Sequence, residues 1–273
     1  MTQAPAPAPA PSTTEARVPG DGYVQSFARG LAVIRSFSAQ APSQTMTEVA
    51  QRTGLTRAGA RRILHTLHAL GYVEIEGRQF RLTAKVLDLG FAYLSSLPLW
   101  SLAEPFIEAF VRDVHESSSA AVLDGKDIVY VLRVPTHKIM SINLGVGSRL
   151  PAYCSSMGRV LLSGLDDEEL MRRLDATDFV ARTPRTLTDL ARLHEEILRV
   201  RSQGWALIDE ELELGLISLA APLFARNGKM LAAINVGMHK SRMTAETMQR
   251  EILPKLLDTA RQINERVALS GAY

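Results

Sequence analysis

The chain has 273 residues, 46% of them hydrophobic, enough to bury the core of one large domain or two smaller ones, which excludes wholesale disorder. Its single cysteine, Cys154, excludes an intramolecular disulfide and fits a reducing cytoplasm, and no apolar run approaches the roughly 18 residues of a membrane span. The net charge of +2 conceals an asymmetry: residues 23–85 hold nine Lys/Arg against three Glu, whereas 86–273 hold twenty-one Lys/Arg against twenty-four Asp/Glu, so a polyanion partner is expected for the first part alone.

Residues 1–22, MTQAPAPAPAPSTTEARVPGDG, lack the basic start and apolar core of a secretory signal. Alternating Ala-Pro favours extended polyproline conformations with nothing to bury, so this stretch reads as a disordered tail outside the fold. In 24–38, Val24, Phe27, Leu31, Ile34 and Phe37 recur at helical spacing and predict a helix with that face buried. A second helix follows, with Thr45 or Thr47 as its cap, Val49 and Ala50 facing inward and Gly54 as its stop.

The next segment, GLTRAGARRILHTLHALGYV, predicts a third helix capped by Thr56 and ended by Gly71. Ile63, Leu64, Leu67 and Leu70 form its buried stripe, while Arg57 and Arg61 project from its leading turns with Arg62 beside them. Gly59 inside it should cost about 1 kcal/mol relative to alanine. YVEIEGRQFRLT then reads as two short strands around Glu76-Gly77-Arg78. Three helices, a short glycine-containing turn at Thr53-Gly54-Leu55 and a hairpin describe a winged helix-turn-helix in 23–85. Such a module leads into the major groove with the start of its last helix, where arginine forks meet guanine edges and phosphates. The three arginines have no acid beside them because DNA supplies the negative charge. The residues expected at operator double-stranded DNA are Thr45, Thr47, Thr56, Arg57, Ala58, Arg61, Arg62, His65, Arg78 and Arg81. Arg78 and Arg81 would reach phosphates or the minor groove from the hairpin.

Residues 86–98 predict a linker helix whose apolar stripe, Val86, Leu87, Leu89, Phe91, Tyr93 and Leu94, is too wide to stand alone and needs a cover. A helix over Leu99–Val114 follows. Strands are expected at SAAVLDG, DIVYVLRV, 139–144, LISLAAPLF and KMLAAINVG, with helices at 156–164, 166–175, 188–202 and 244–268. Hairpins with intervening helices describe an α+β domain over 99–270 with a largely antiparallel sheet.

Little in this second module suggests catalysis. Cys154 is the one possible nucleophile, the histidines His115, His137, His194 and His239 are scattered, and metal or phosphate-loop motifs are missing. An enzyme domain with a Cys154 nucleophile, fused to a DNA anchor, is the alternative reading. Asp209, Glu210, Glu211 and Glu213 form an acidic run that suits a solvated loop or helix-cap partners better than a metal. In PAYCSSMGRVLL, Ser155 or Ser156 can cap a helix whose first amides, at Met157 and Gly158, could receive a carboxylate. Arg133 and Arg149 are rival anchors for such an anion.

SFARGLAVIRSF, GLTRAGARRILHTLHALGYV and LTAKVLDLGFAYL resemble the N-terminal half of IclR-type transcriptional regulators, and the resemblance runs to about residue 268. LGFAYLSSLPLW, GSRLPAYCSSMGRVLL and DEELELGLISLAAPL resemble more closely the branch that regulates protocatechuate and 4-hydroxybenzoate breakdown, the β-ketoadipate pathway. The resemblance implies a linker helix that helps dimerisation and a GAF-like effector domain without catalytic activity, cofactor or metal. It implies a homodimer or homotetramer and a small organic acid effector of the protocatechuate, 4-hydroxybenzoate or β-ketoadipate class. It also implies an effector pocket built from Ser155, Ser156, Met157, Gly158, Asp209, Ser218, Asn235 and Gly237. The family spacing is met by Gly204, Glu211 and Ser218, and the chain departs from it at Ile208 and Ala225, with Ile208 expected to make one wall more apolar.

Overall fold

The computed structural model describes Gly20, residues 22–136 and residues 144–270, which divide into two compact units between Ser96 and Leu97. The tail over 1–22, apart from its two glycines, and all but the last residue of the strand expected at 139–144 lie outside the described residues. Both units mix helix and sheet. Among the described residues no single helix is long and apolar enough to cross a membrane.

The first unit places α1 (Gln25–Ser36), α2 (Met46–Thr53) and α3 (Arg57–Ala69) against a small antiparallel sheet of β1 (Ser43–Thr45), β2 (Val73–Glu76) and β3 (Gln79–Leu82). Local chemistry sets the helix ends. Thr45 and Glu48 form a reciprocal capping box at α2, which stops at Gly54 with φ 66°. Thr56 caps α3 by accepting the Gly59 N–H at 3.1 Å. The core is Val33, Val49, Ala50, Ala60, Leu64, Leu67, Val73 and Phe80. Four expected core positions fail. On α1, Val33 is the buried residue, with Ile34 and Phe37 packed beside it, whereas Val24, Phe27 and Leu31 are exposed. Phe27 and Leu31 lie seven and three residues before Ile34, on the same side of the helix, but among the described residues nothing covers that side over the first turns of α1. Leu70 is exposed because α3 ends at Ala69 and the chain turns away. Strand β1 escaped the sequence reading because it is three residues long. It pairs with β3 and buries the polar Gln44, whose amide donates to Ser36 O at 3.0 Å. A 3-10 turn (Ala84–Val86) leads to α4 (Leu87–Ser96), which buries no residue.

The second unit is a six-stranded antiparallel sheet in the order β6-β5-β4-β9-β8-β7. Its strands are β4 (Ser118–Asp124), β5 (Asp127–Val134), β6 (Arg149–Pro151), β7 (Ala206–Asp209), β8 (Leu216–Phe224) and β9 (Met230–His239). One face carries α5 (Leu99–Val114) and α10 (Leu253–Ser270). The other carries α6 (Ser156–Ser163), backed by α8 (Leu190–Gln203). With both faces covered, β8 is buried from Ile217 to Leu223. Ala121, Ala220 and Ala233 lie in the core layer beneath α6, and their small side chains let the helix approach closely. Helix α7 (Asp167–Asp175) is capped by Asp166. The terminal helix expected at 244–268 is two helices, α9 (Ala245–Glu251) and α10, interrupted at Ile252. Pro254 supplies the reason, since it has no N–H with which to continue the helix from α9.

Leu64 is completely buried at the centre of the first unit. Leu64→Ala is expected to cost about 2–5 kcal/mol of that unit's stability, read by denaturant unfolding followed by far-ultraviolet circular dichroism.

Candidate functional site

The arginine face of the first unit is built by α3. Burying Ala60, Leu64 and Leu67 turns Arg57, Ala58, Arg61, Arg62 and His65 outward. Among the described residues Arg57, Arg61, Arg62 and Arg78 have no ion-pair partner, whereas Arg81 pairs with Glu76 at 3.3 Å on the exposed wing. Thr47 is exposed on the first turn of α2, while the hydroxyls of Thr45 and Thr56 are engaged in their caps. A Cβ on Gly59 would sit 3.2 Å from Thr56 Oγ1, so a methyl there would crowd the cap. That contact accounts for a glycine inside α3.

The second unit holds a cleft of about 550 Å³, counting its mouth, between the sheet and the start of α6. Its sheet side follows from strand register. Arg133 on β5 stands opposite Ser119 on β4, Ser119 stands opposite Asn235 on β9, and Gly237 stands opposite Ser218 on β8. All five line the cleft, and the small Ser and Gly positions create its space. Tyr130, Leu144, Leu150, Leu212 and Leu216 supply the walls, and Ser155, Ser156 and Met157 close it from α6. Arg133 Nη1 lies 3.5 Å from Ser119 Oγ. Burial pushes the Tyr130 phenol up to about 12, so it is neutral at physiological pH.

Several expected site residues lie elsewhere. Gly158 faces away from the cleft, and a Cβ there would collide with the Ala152 backbone. It is a packing glycine, required because α6 lies directly on the chain that leads into it. Asp209 does not line the cleft, being held by Arg185 at 2.9 Å and Lys240 at 2.8 Å. Glu211 binds Arg159 at 2.6 Å. Asp209, Glu210 and Glu211 are therefore braced by ion pairs while Glu213 is exposed, and among the described residues no group of acids, His and Cys is arranged for a metal. Ile208 is buried in β7 and makes no wall. Arg149 is taken by Asp124 and Asp127, which leaves Arg133 as the charged side chain among the described lining residues. Cys154 is completely buried and burial pushes its thiol up to about 11, which withholds the thiolate that a nucleophile needs. Sequence reasoning passed over Ser117, Ser119 and Tyr130. The run Ser117-Ser118-Ser119 at the head of an apolar strand was the available signal.

Comparison with known proteins agrees with this geometry. The profile for the bacterial transcriptional regulator IclR C-terminal domain matches residues 91–265, and that for the IclR helix-turn-helix domain matches 26–77. The Pca regulon regulatory protein of Pseudomonas putida is 45% identical over 242 residues, 88% of this chain and 83% of that protein. A candidate transcriptional regulator from Rhodococcus sp. RHA1 superposes with a TM-score of 0.82 at 47% identity, over 91% of this chain and all of that one (100%). The inducer-binding domain of PobR from Acinetobacter, solved as a double mutant with 3-hydroxybenzoic acid, has a TM-score of 0.58 at 30% identity, over 60% of this chain and 97% of that one.

The packing at Gly158 yields a direct test. Gly158→Ala forces even a methyl into the Ala152 backbone, so it should destabilise the second unit by about 1–3 kcal/mol, seen as a lowered melting temperature.

Proposed function

Because the chain belongs to the IclR family of bacterial transcriptional regulators, we propose that residues 23–85 grip a pseudo-palindromic operator and that 99–270 receive a hydroxylated ring acid. The chain is a DNA-binding regulator of aromatic-acid catabolism and not an enzyme, as its relatives are. In the finer reading, α3 lies in the major groove. Arg57 and Arg61 read base edges there, while Arg62, Arg78 and Thr47 hold phosphates. Two such heads act together in a cytoplasmic homodimer or homotetramer. Supporting this is the apolar surface that the first unit leaves exposed, namely Val24, Phe27 and Leu31 on α1 and Leu87, Leu89, Phe91 and Tyr93 on α4. The effector acts by favouring one spacing of the heads.

One observation carries the ligand assignment. Arg133 is the single charged group among the described lining residues, set beside serines, an asparagine and apolar walls. That composition favours a monocarboxylate on a flat apolar body, such as 4-hydroxybenzoate or protocatechuate. A dicarboxylate such as β-ketoadipate would bring a second charge for which the described lining residues offer no cation. The carboxylate belongs at Arg133 rather than at the start of α6.

Arg61→Ala should cost about 1–3 kcal/mol of operator binding and relax preference at one base pair in a fluorescence-anisotropy panel of single-base operator variants. Arg81→Ala should weaken every sequence alike and by less, because Glu76 already offsets part of its charge. Equal effects of the two across the panel would contradict the placement of α3. Arg133→Gln should leave operator binding intact and weaken 4-hydroxybenzoate at least about tenfold in calorimetry.

A further inference from the structure

The polar groups of the cleft are not equivalent once their hydrogens are assigned. On the sheet side, Ser117 Oγ accepts the Thr136 N–H at 3.0 Å, and Ser119 Oγ faces Arg133 Nη1 at 3.5 Å. Asn235 Oδ1 accepts the Ser119 N–H at 3.1 Å, which fixes the orientation of the amide and leaves its NH2 as the free end. The sheet side therefore presents donors: the Arg133 guanidinium, the Asn235 amide nitrogen, and the hydroxyl hydrogens of Ser117 and Ser119. The α6 side differs. Ser155 Oγ donates its only hydrogen to Pro151 O at 2.9 Å. Although Ser155 occupies the cap position of α6, its side chain accepts no cap hydrogen bond, and no donor among the described residues claims its lone pairs. It is more than nine-tenths buried and lines the cleft.

We infer that Ser155 is the specificity-determining acceptor for a hydroxyl on the ligand ring, with the ligand carboxylate on the opposed donor row of Arg133, Ser119 and Asn235. This rests on the reading of the cleft as a ring-acid site and adds the ligand's direction and the group that reads its hydroxyl. The ligand O–H donates to Ser155 Oγ, and the Ser155 O–H stays on Pro151 O. Ser156 and Ser218 also line the cleft, but their hydroxyl rotors are not held by a second protein partner among the described residues. Ser155 is set to accept before the ligand arrives. A site built in this way rejects an analogue that lacks the hydroxyl, because the buried oxygen is then left unpaired.

Calorimetry on the full chain with 4-hydroxybenzoate, benzoate and 4-fluorobenzoate tests the assignment. 4-Fluorobenzoate has nearly the size of the hydroxy acid but no proton to give. The wild-type chain should prefer 4-hydroxybenzoate over both others by about tenfold or more. Ser155→Ala should abolish that preference by weakening 4-hydroxybenzoate alone, and Ser218→Ala should keep it. The assignment is overturned if Ser155→Ala weakens all three acids equally, which marks a structural prop, or if the preference disappears in Ser218→Ala instead. Tight binding of 4-fluorobenzoate to the wild-type chain would also sink it, and that measurement needs no variant to fold. A wild-type chain that binds all three acids equally well overturns the role of Ser155 and leaves the ring-acid reading standing. One that binds none overturns both.

Discussion

Arg159 on α6 is almost wholly buried, at 2% exposure, and reaches three neighbours. Its Nε donates to Tyr153 O at 3.0 Å, its Nη2 meets Glu211 at 2.6 Å, and its Nη1 lies 3.8 Å from Glu196 on α8. A buried guanidinium is costly unless it is paired and hydrogen-bonded, and here two hydrogen bonds and a longer ion pair come from three separate stretches of chain. The effect is to bind α6, the strand-to-helix loop before it, α8 and the loop after β7 into one assembly. The cleft opens between parts of that assembly. Ser155, Ser156 and Met157 come from the start of α6, and Leu212 comes from the residue after Glu211.

The same loop shows how polar groups serve shape at a distance from the cleft. Glu210 adopts a left-handed φ of 61°, a conformation unfavourable for a side-chain-bearing residue, and its carboxylate accepts the Gly215 N–H at 2.8 Å. Thr183 and Thr186 hydroxyls hold the carbonyls of Glu210 and Glu211, each at 2.6 Å. Lys240 and Arg185 balance the acids from outside. Charges that suit a solvated loop in one dimension are internal braces in three. The arginines of α3 present the reverse case. They are unpaired because their helix buries only its aliphatic stripe and leaves the charged face to solvent or to a polyanion.

Much of the architecture was legible in the order of the residues. Thr56, Gly54 and Gly71 mark helix ends through local hydrogen bonding and backbone freedom, and these act over a few residues whatever surrounds them. The 3.6-residue period of α3 assigned Leu64 and Leu67 to the core and Arg57 and Arg61 to the surface. The apolar strands β4, β5, β8 and β9 could be read from their composition and turns. Serines and small residues at Ser155, Ser218, Asn235 and Gly237 were placed at the cleft through family resemblance, since nothing in their own neighbourhood sets them apart from ordinary strand and cap residues.

What the sequence alone determined, then, is what local physics determines: element types, caps, the charge division between the halves and the helix face that carries it. Tertiary structure decided everything that depends on which distant chain segment comes near. Phe27 stays exposed although it shares a helix face with Ile34, because among the described residues no element covers the first turns of α1. Gly158 packs rather than binds because Ala152 lies against it. Arg133 is left facing the cleft because Asp124 and Asp127 claim Arg149, a choice made by strand pairing across the sheet. Hydrogen bonding and close packing act over a few ångströms in space, and sequence spacing reports that proximity only within a single turn or hairpin.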